Sequence, residues 1–232
     1  GYNTSGSLSN SGILLARTKI AVDIIQKFKN DNAKQEYYLT DIVKMAAERG
    51  YSSTYVECEE DECIGVNSQL ELSVAERKFQ NDFRKKLMAS GVSMPSPETC
   101  FFSHDTIIKN GCIIEPNVVL GKGVKIQNST IIKSYSHIEG THIGKNCQIG
   151  PFARLRPGTN LSGEVKVGNF VEVKNSTLAY DTKANHLSYI GDAEVGANTN
   201  IGAGTIFCNY DGKKKHRSVV GENVFIGSNA SL

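Results

Sequence analysis

The stretch Ile108-Lys-Asn-Gly-Cys112-Ile-Ile114-Glu-Pro-Asn-Val118-Val-Leu120-Gly-Lys-Gly-Val124-Lys-Ile126-Gln-Asn-Ser-Thr130-Ile-Ile132 decides the fold. An aliphatic residue recurs every six positions, at Ile108, Ile114, Leu120, Ile126 and Ile132, and the run goes on to Ile138. After one five-residue step it resumes at Ile143, Ile149, Leu155, Leu161, Val167 and Val173, and later at Val195, Ile201, Phe207, Val220, Ile226 and Leu232. A helix repeats near 3.6 residues and a strand near 2, so a sustained period of six fits neither alone. It fits a solenoid of short parallel strands, three six-residue sides to a coil of about 18 residues stacked at roughly 4.8 Å per coil. A small or β-branched residue four positions on (Cys112, Val118, Val124, Thr130, Ser136, later Cys147, Ala153, Thr159) reads as a second inward position. Gly often follows the aliphatic, as at Gly121, Gly144, Gly150, Gly168, Gly202, Gly221 and Gly227, and reads as the source of freedom for a sharp corner.

The bulk composition narrows the function classes. A chain of 232 residues, 39% hydrophobic and 22% charged, is ordinary for a globular protein of one or two domains. Its net charge of +2 predicts no nucleic-acid partner, and no apolar run reaches the roughly 18 residues of a membrane span. The opening Gly1-Tyr2-Asn3-Thr4-Ser5 is not a signal peptide. The six Cys form no CxxC pair and read as thiols of a reducing cytoplasm, with Cys112 and Cys147 in the core.

The first hundred residues lack the six-residue period. Ile20, Ile24 and Phe28, with Ala21 and Ile25, share one helical face, and Thr40 opens a second helix through Ile42 and Met45 that Gly50 ends. Tyr55-Val56-Glu57 reads as a strand. Ser73-Val-Ala-Glu76 has the form of a capping box opening a helix with Ala75, Phe79, Phe83 and Leu87 spaced by four, stopped at Gly91, Pro95 and Pro97. The expected division is 1–72, 73–100 for the connecting helix, and 101–232 for the solenoid.

Insertions in a solenoid gather on one face, often the binding face. The repeat is interrupted between Val173 and Ile190, around His186-Leu-Ser-Tyr189, and between Phe207 and Val220, around Asn209-Tyr-Asp-Gly-Lys-Lys-Lys-His-Arg217. Arg154, Arg156 and Lys174 precede them. Arginine binds two oxygens of a phosphate monoester and lysine adds point charge, while a histidine beside them exchanges a proton near neutral pH.

Four motifs make the reading specific: Ile149-Gly-Pro-Phe-Ala-Arg-Leu-Arg-Pro-Gly158, Val167-Gly-Asn-Phe-Val-Glu-Val-Lys174, His186-Leu-Ser-Tyr-Ile-Gly-Asp-Ala-Glu194 and Asn200-Ile-Gly-Ala-Gly-Thr-Ile-Phe-Cys-Asn-Tyr-Asp-Gly212. They resemble the bifunctional bacterial enzymes that join glucosamine-1-phosphate N-acetyltransferase to N-acetylglucosamine-1-phosphate uridyltransferase. Asn10-Ser-Gly-Ile-Leu14, Glu36-Tyr-Tyr-Leu-Thr-Asp41 and Gly65-Val-Asn-Ser-Gln-Leu70 resemble the closing part of the uridyltransferase domain. The resemblance implies a left-handed parallel β-helix preceded by the C-terminal part of an α/β nucleotidyltransferase domain, with chain missing at both ends. It also implies a cytoplasmic homotrimer with acetyltransferase sites between subunits, serving UDP-N-acetylglucosamine and cell-envelope synthesis.

By that resemblance His186 is the general base on the sugar 2-amino group. Arg156, Lys174 and Lys215 hold the sugar phosphate, and Tyr189 and Asn200 position the ring. Acetyl-CoA is contacted at Ala203, Asn209, Tyr210 and Ser228, with a backbone N–H near Ala203 facing the developing oxyanion. Residues past Leu232 are expected to complete the CoA pocket. Asn10 corresponds to a uridine-sugar contact and Asn67 to a Mg2+ ligand of the UTP-dependent reaction, but one Asn is a poor site for an ion that wants octahedral oxygens, and no uridyltransferase activity is expected from this chain alone. Lys213, Lys214 and Arg217 read as solvated charge.

Two other readings compete. One is an inactive trimeric scaffold. The other is a zinc enzyme like the γ-class carbonic anhydrases, which would use His137, His142 and His104, three protein ligands leaving an open position.

Overall fold

The computed structural model describes residues 10–31 and 33–232, so Gly1 to Ser5 lie outside the described residues. The chain divides into two compact units, Gly1–Ala75 and Glu76–Leu232.

In the first unit, α1 (Thr18–Ile25) packs on α2 (Asp41–Ala47), burying Ile24 and Ile42. The apolar face read from Ile20 to Phe28 thus delivers a short helix with one anchoring residue. Thr40 sits at the N-cap of α2 without a side-chain cap bond, and Gly50 has φ +77°. The strand expected at Tyr55-Val56-Glu57 does not form, and Tyr55 and Val56 are exposed. Its β-prone composition finds no partner, because no described residue of this unit is in a strand. The helix α3 (Gln69–Ala89) also departs from expectation, since it starts four residues before the Ser73 box. The box in use is Ser68 with Glu71: Ser68 Oγ accepts from the Glu71 N–H at 3.2 Å, and the Glu71 carboxylate accepts from the Asn67 N–H at 2.6 Å. Ser73 lies inside the helix and donates back to the Leu70 carbonyl.

In the second unit the six-residue period becomes the three-sided parallel solenoid, the left-handed β-helix expected from the sequence. Side one has six strands, from Phe101–Phe102 to Tyr189–Gly191; side two has seven, from Ile107–Ile108 to Ser218–Val220; side three has seven, from Ile113–Ile114 to Phe225–Ile226. The aliphatic of each strand points inward: Ile114, Ile126, Ile132, Ile138, Ile143, Ile149, Leu155 and Leu161 have no exposed surface. The small positions close the core behind them, and Thr130, Thr159 and Thr199 return their hydroxyls to backbone carbonyls of the next turn at 2.8, 3.1 and 2.9 Å.

The first expected interruption is not there. Leu178 and Ala184 fill the inward positions between Val173 and Ile190, fully buried. Two five-residue steps, Val173 to Leu178 and Ile190 to Val195, and the small Ala184 hide the period from a search for aliphatics. The second interruption is a true insertion: Glu194 pairs with Val219, twenty-five residues on, where other turns advance seventeen or eighteen.

The corner glycines also act differently. Of those following the aliphatic, only Gly150 has positive φ. The left-handed corners fall elsewhere, on Asn117, Tyr135, Phe152, Phe170 and Leu187 among others. Tyr135, Phe152 and Phe170 stack outward on one corner with ring centroids 4.9 and 5.3 Å apart. Gly144 is required by close approach instead, since a Cβ there would lie 1.3 Å from the Ser162 carbonyl oxygen of the next turn.

The connecting helix caps the open first turn. Gln80, buried, accepts from the Phe102 N–H at 3.0 Å and donates to its carbonyl at 2.7 Å, while Arg84 gives two hydrogen bonds to the Cys100 carbonyl. Those backbone groups would otherwise form an unpaired sheet edge.

Candidate functional site

The chemistry lies along side one, between its two corners. At the first corner the ladder pairs Asn169 with His186, and Asn169 Oδ1 lies 2.9 Å from His186 Nδ1. A carbonyl oxygen only accepts, so Nδ1 carries the proton and Nε2 presents its lone pair from an exposed imidazole. Lys183 pairs with Asn200 and Asn200 with Phe225. Continuing those offsets brings Ala203 level with His186, and Ser228 level with Ala203. Three residues expected to serve base catalysis and acetyl-CoA thus share one corner column.

At the other corner the cations gather. Arg156 Nη1 is 2.8 Å from Glu172 Oε1, and Lys174 Nζ is 3.2 Å from Asp192 Oδ2. Lys215 reaches the same place from the 208–217 insertion and abuts Lys174. Where the two amines of Lys174 and Lys215 meet, Lys174, paired with Asp192, holds its proton more firmly and its pKa goes up, while the like charge of Lys174 pushes that of Lys215 down. Hydrogen bonding to Glu172 raises the Arg156 guanidinium. Three cations converge on two carboxylates, leaving net positive charge at a partly open corner, which suits a phosphate dianion. Tyr189 stands on side one between the corners.

Asp192 is the residue the sequence reading passed over. It is buried at a positive-φ corner and accepts from Asn175 Nδ2 at 2.6 Å, from Lys174 Nζ and from Asn209 Nδ2. Those bonds, led by the one from Asn175, hold its carboxyl below the usual carboxylate range. Asn209 is expected at acetyl-CoA, yet its amide is buried and turned onto Asp192 and the Tyr189 hydroxyl. Tyr210 is exposed and donates to the Gly212 carbonyl. The insertion turns on Asp211, which accepts from the Lys213 and Lys214 N–H groups and lies 2.7 Å from His216 Nε2. Arg217 pairs with Glu194 at 2.6 Å. Asn169, Asp192 and Glu172 sit within the quoted motifs, but only the stacking register reveals what they touch.

Other expected residues are not brought to this side. Asn200 faces outward on side three, between Lys183 and Phe225. Asn10 and Asn67 belong to the first unit; Asn10 Oδ1 accepts from the Gly12 N–H at 2.8 Å, and Asn67 lies just before the α3 cap. The donors do not fit a magnesium site: among the described residues no three His, Cys, Asp or Glu side chains converge as metal ligands, and Asn67 offers one amide oxygen. Nor does one chain bring the histidines of the zinc reading to a common point among the described residues. His137 and His142 project from different sides of the prism, and His137 Nε2 is 3.3 Å from Glu139 Oε1. Among the described residues, no helix is long and apolar enough to cross a membrane.

Comparison with known proteins agrees with the motifs. No protein-family model matches the chain. The chain is 50% identical over 226 residues to the Bifunctional protein GlmU of Bartonella quintana (strain Toulouse), covering 97% of this chain and 50% of that protein. It is 49% identical over 226 residues to the protein of that name from Roseobacter denitrificans, and 50% over 225 residues to that of Sphingopyxis alaskensis, each again 97% of this chain and 50% of the relative. The chain therefore spans about half the length of the curated relatives it matches. Among solved structures it is similar to a UDP-N-acetylglucosamine acyltransferase of Francisella novicida, with 16% identity, TM-score 0.36, and coverage of 61% of this chain and 56% of the other. It is also similar to the acetyltransferase domain of PglB from Neisseria gonorrhoeae FA1090 in complex with acetyl coenzyme A, with 14% identity, TM-score 0.24, and coverage of 67% and 65%. At those scores neither likeness bears on function.

Proposed function

Since the chain is a homologue of the proteins named Bifunctional protein GlmU, half identical to them along nearly its whole length, we propose that it transfers acetyl from acetyl-CoA to the 2-amino group of glucosamine-1-phosphate. The observation that carries this reading is the arrangement of one side of the prism: an oriented imidazole at one corner and a three-cation cluster at the other, with Tyr189 between. His186 and the level of Lys174 and Arg156 are five residues apart along the coil, across the Leu187 corner and the strand Tyr189–Gly191. The long Arg156, Lys174 and Lys215 side chains bridge part of that span and hold the phosphate, while the amine meets His186.

In the reaction the amine lone pair forms a bond to the thioester carbonyl carbon, and His186 Nε2 takes the amine proton. The tetrahedral intermediate, its oxyanion beside the Ala203 backbone, collapses by breaking the carbon–sulfur bond. The imidazolium then returns the proton to the CoA thiolate. No acyl-enzyme is required, and Cys100, Cys112 and Cys147 are buried in the core. Asn200 lies on side three, apart from Arg156, Lys174 and Tyr189 on side one, and in the homotrimer proposed here a second copy brings the two faces together. Uridylyl transfer from UTP with Mg2+ is proposed only for the intact protein, since the one amide oxygen of Asn67 does not make a magnesium site here.

The test is CoA release from acetyl-CoA with glucosamine-1-phosphate, by this chain and by a form continued past Leu232 with the residues that follow in the Bartonella quintana relative. Acceptor-dependent release by the continued form, lost by a factor of about 10² to 10⁴ in folded His186→Ala, is the expected outcome. A folded, trimeric continued form with no acceptor-dependent release would overturn the reading in favour of a scaffold.

A further inference from the structure

Cys58 and Cys63 place their sulfurs 3.2 Å apart across a single 3-10 turn, Glu60–Cys63, in the first unit. Cys58 is exposed and Cys63 partly so, whereas Cys100, Cys112 and Cys147 are buried and Cys208 stands in the solenoid unit. The turn is held by the Glu62 N–H donating to the Glu59 carbonyl at 3.0 Å, which brings the two thiols together without a bond between them. Neither belongs to the acetyl-transfer site, and the pair has no part in that reaction. A thiol pair in contact, open to solvent and needing only a small inward shift to bond, is arranged for thiol–disulfide exchange.

We propose that Cys58 and Cys63 form a reversible dithiol–disulfide pair, oxidised by small cationic disulfides. One thiolate attacks a sulfur of the incoming disulfide, forming a mixed disulfide and releasing one small thiolate. The second cysteine, as thiolate, attacks the cysteine sulfur of that mixed disulfide, closing the Cys58–Cys63 bond and releasing the second small thiol. The two protein thiols are oxidised by two electrons, the small disulfide is reduced to two thiols, and the two protons pass to those leaving thiolates.

The preference for a cationic oxidant follows from the carboxylates beside Cys58, Glu59 and Glu62, with Glu57 next to it in the chain, which repel an anionic disulfide such as oxidised glutathione. The hydrogen bond with Cys63 and the nearby Glu62 and Glu59 also push the Cys58 thiol pKa up, which slows the first attack at neutral pH. The ring closes only four residues before Asn67 and the Ser68–Glu71 cap, so oxidation stiffens the chain that enters α3.

The experiment incubates the native chain with cystamine, blocks remaining thiols with N-ethylmaleimide and maps the peptides by mass spectrometry. The expected product is one internal Cys58–Cys63 disulfide, reversed by dithiothreitol. Cys58→Ser and Cys63→Ser should each retain a single cysteamine adduct on the remaining partner. Closure should run about tenfold faster in the native chain than in urea, and about tenfold faster with cystamine than with oxidised glutathione at low salt, the second gap shrinking as salt is added. A wild-type chain that keeps its mixed disulfide as long as the single variants do would overturn the pairing, as would closure no faster in the native state than in urea. Equal rates with both disulfides at low salt would overturn the cationic preference. These readouts are independent of acetyl transfer.

Discussion

Asn169 Oδ1 lies 2.9 Å from His186 Nδ1, one turn of the solenoid away, which leaves Nε2 as the nitrogen open for the proposed proton transfer. Replacing the amide by a carboxylate keeps the contact but favours the imidazolium. A base must be neutral to act, so Asn169→Asp should move the acid limb of the pH–rate profile upward by about one unit, with little loss at the plateau. A profile that does not move would mean that Asn169 faces some other group in the working enzyme.

Lys215 stands on the inserted loop beside Lys174. Lys215→Ala should raise KM for the sugar phosphate by about tenfold with little change in kcat, because the proposed phosphate contact is made equally before and during the reaction. The effect should shrink with added salt, since the ammonium is exposed. An equal loss in KM for acetyl-CoA would place the residue elsewhere.

Asp192 contributes to stability with a definite pH signature. Its folded pKa is depressed, chiefly by the bond from Asn175, so its contribution is complete above the ordinary carboxylate value near 4. It is lost as pH falls through the lower folded value. Asp192→Asn should cost about 1–3 kcal/mol at neutral pH, by leaving Lys174 without its partner, and the gap from wild type should narrow below about pH 4. Urea melts at pH 7 and pH 3 measure both.

Gln80 satisfies both backbone groups of Phe102 at the first turn. Gln80→Leu keeps the volume but strands them, so a loss of about 1–3 kcal/mol is expected, with concentration-dependent association of the bared edge. Thermal melts and light scattering read the two effects separately.

Gly144→Ala should be among the most damaging single changes in the solenoid, costing about 3 kcal/mol or more, because the added Cβ meets the Ser162 carbonyl and neither backbone can retreat. Gly227→Ala, where nothing lies within 4 Å of the added Cβ, is the matched control and should be nearly silent.

The amino-acid sequence by itself determined the architecture. When every sixth side chain must enter a core three strands around, the run from Ile108 to Val173 packs as read, with the inward aliphatics and the small residues four places on buried from Cys112 to Val171; four places after Val173, Thr177 turns outward, because the five-residue step to Leu178 puts Ser176 in the core instead. The motifs also contain His186, Arg156 and Lys174, the residues proposed for the base and for two of the phosphate contacts. What it left undetermined is what stacks on what. A residue's neighbour in the next turn lies seventeen, eighteen or twenty-five positions away, according to whether a five-residue step or the 208–217 insertion intervenes. Each such slip moves every later pairing, so the steps at Val173 and Ile190, hidden by Ala184, could only be counted in three dimensions. The tertiary structure alone therefore decided that Asn169 orients His186, that Asp192 gathers Lys174, Asn175 and Asn209, and that Gly144 yields its side chain to Ser162. It decided too that Tyr55 and Val56 stay out of any sheet, because a strand requires a partner edge that the local sequence does not supply.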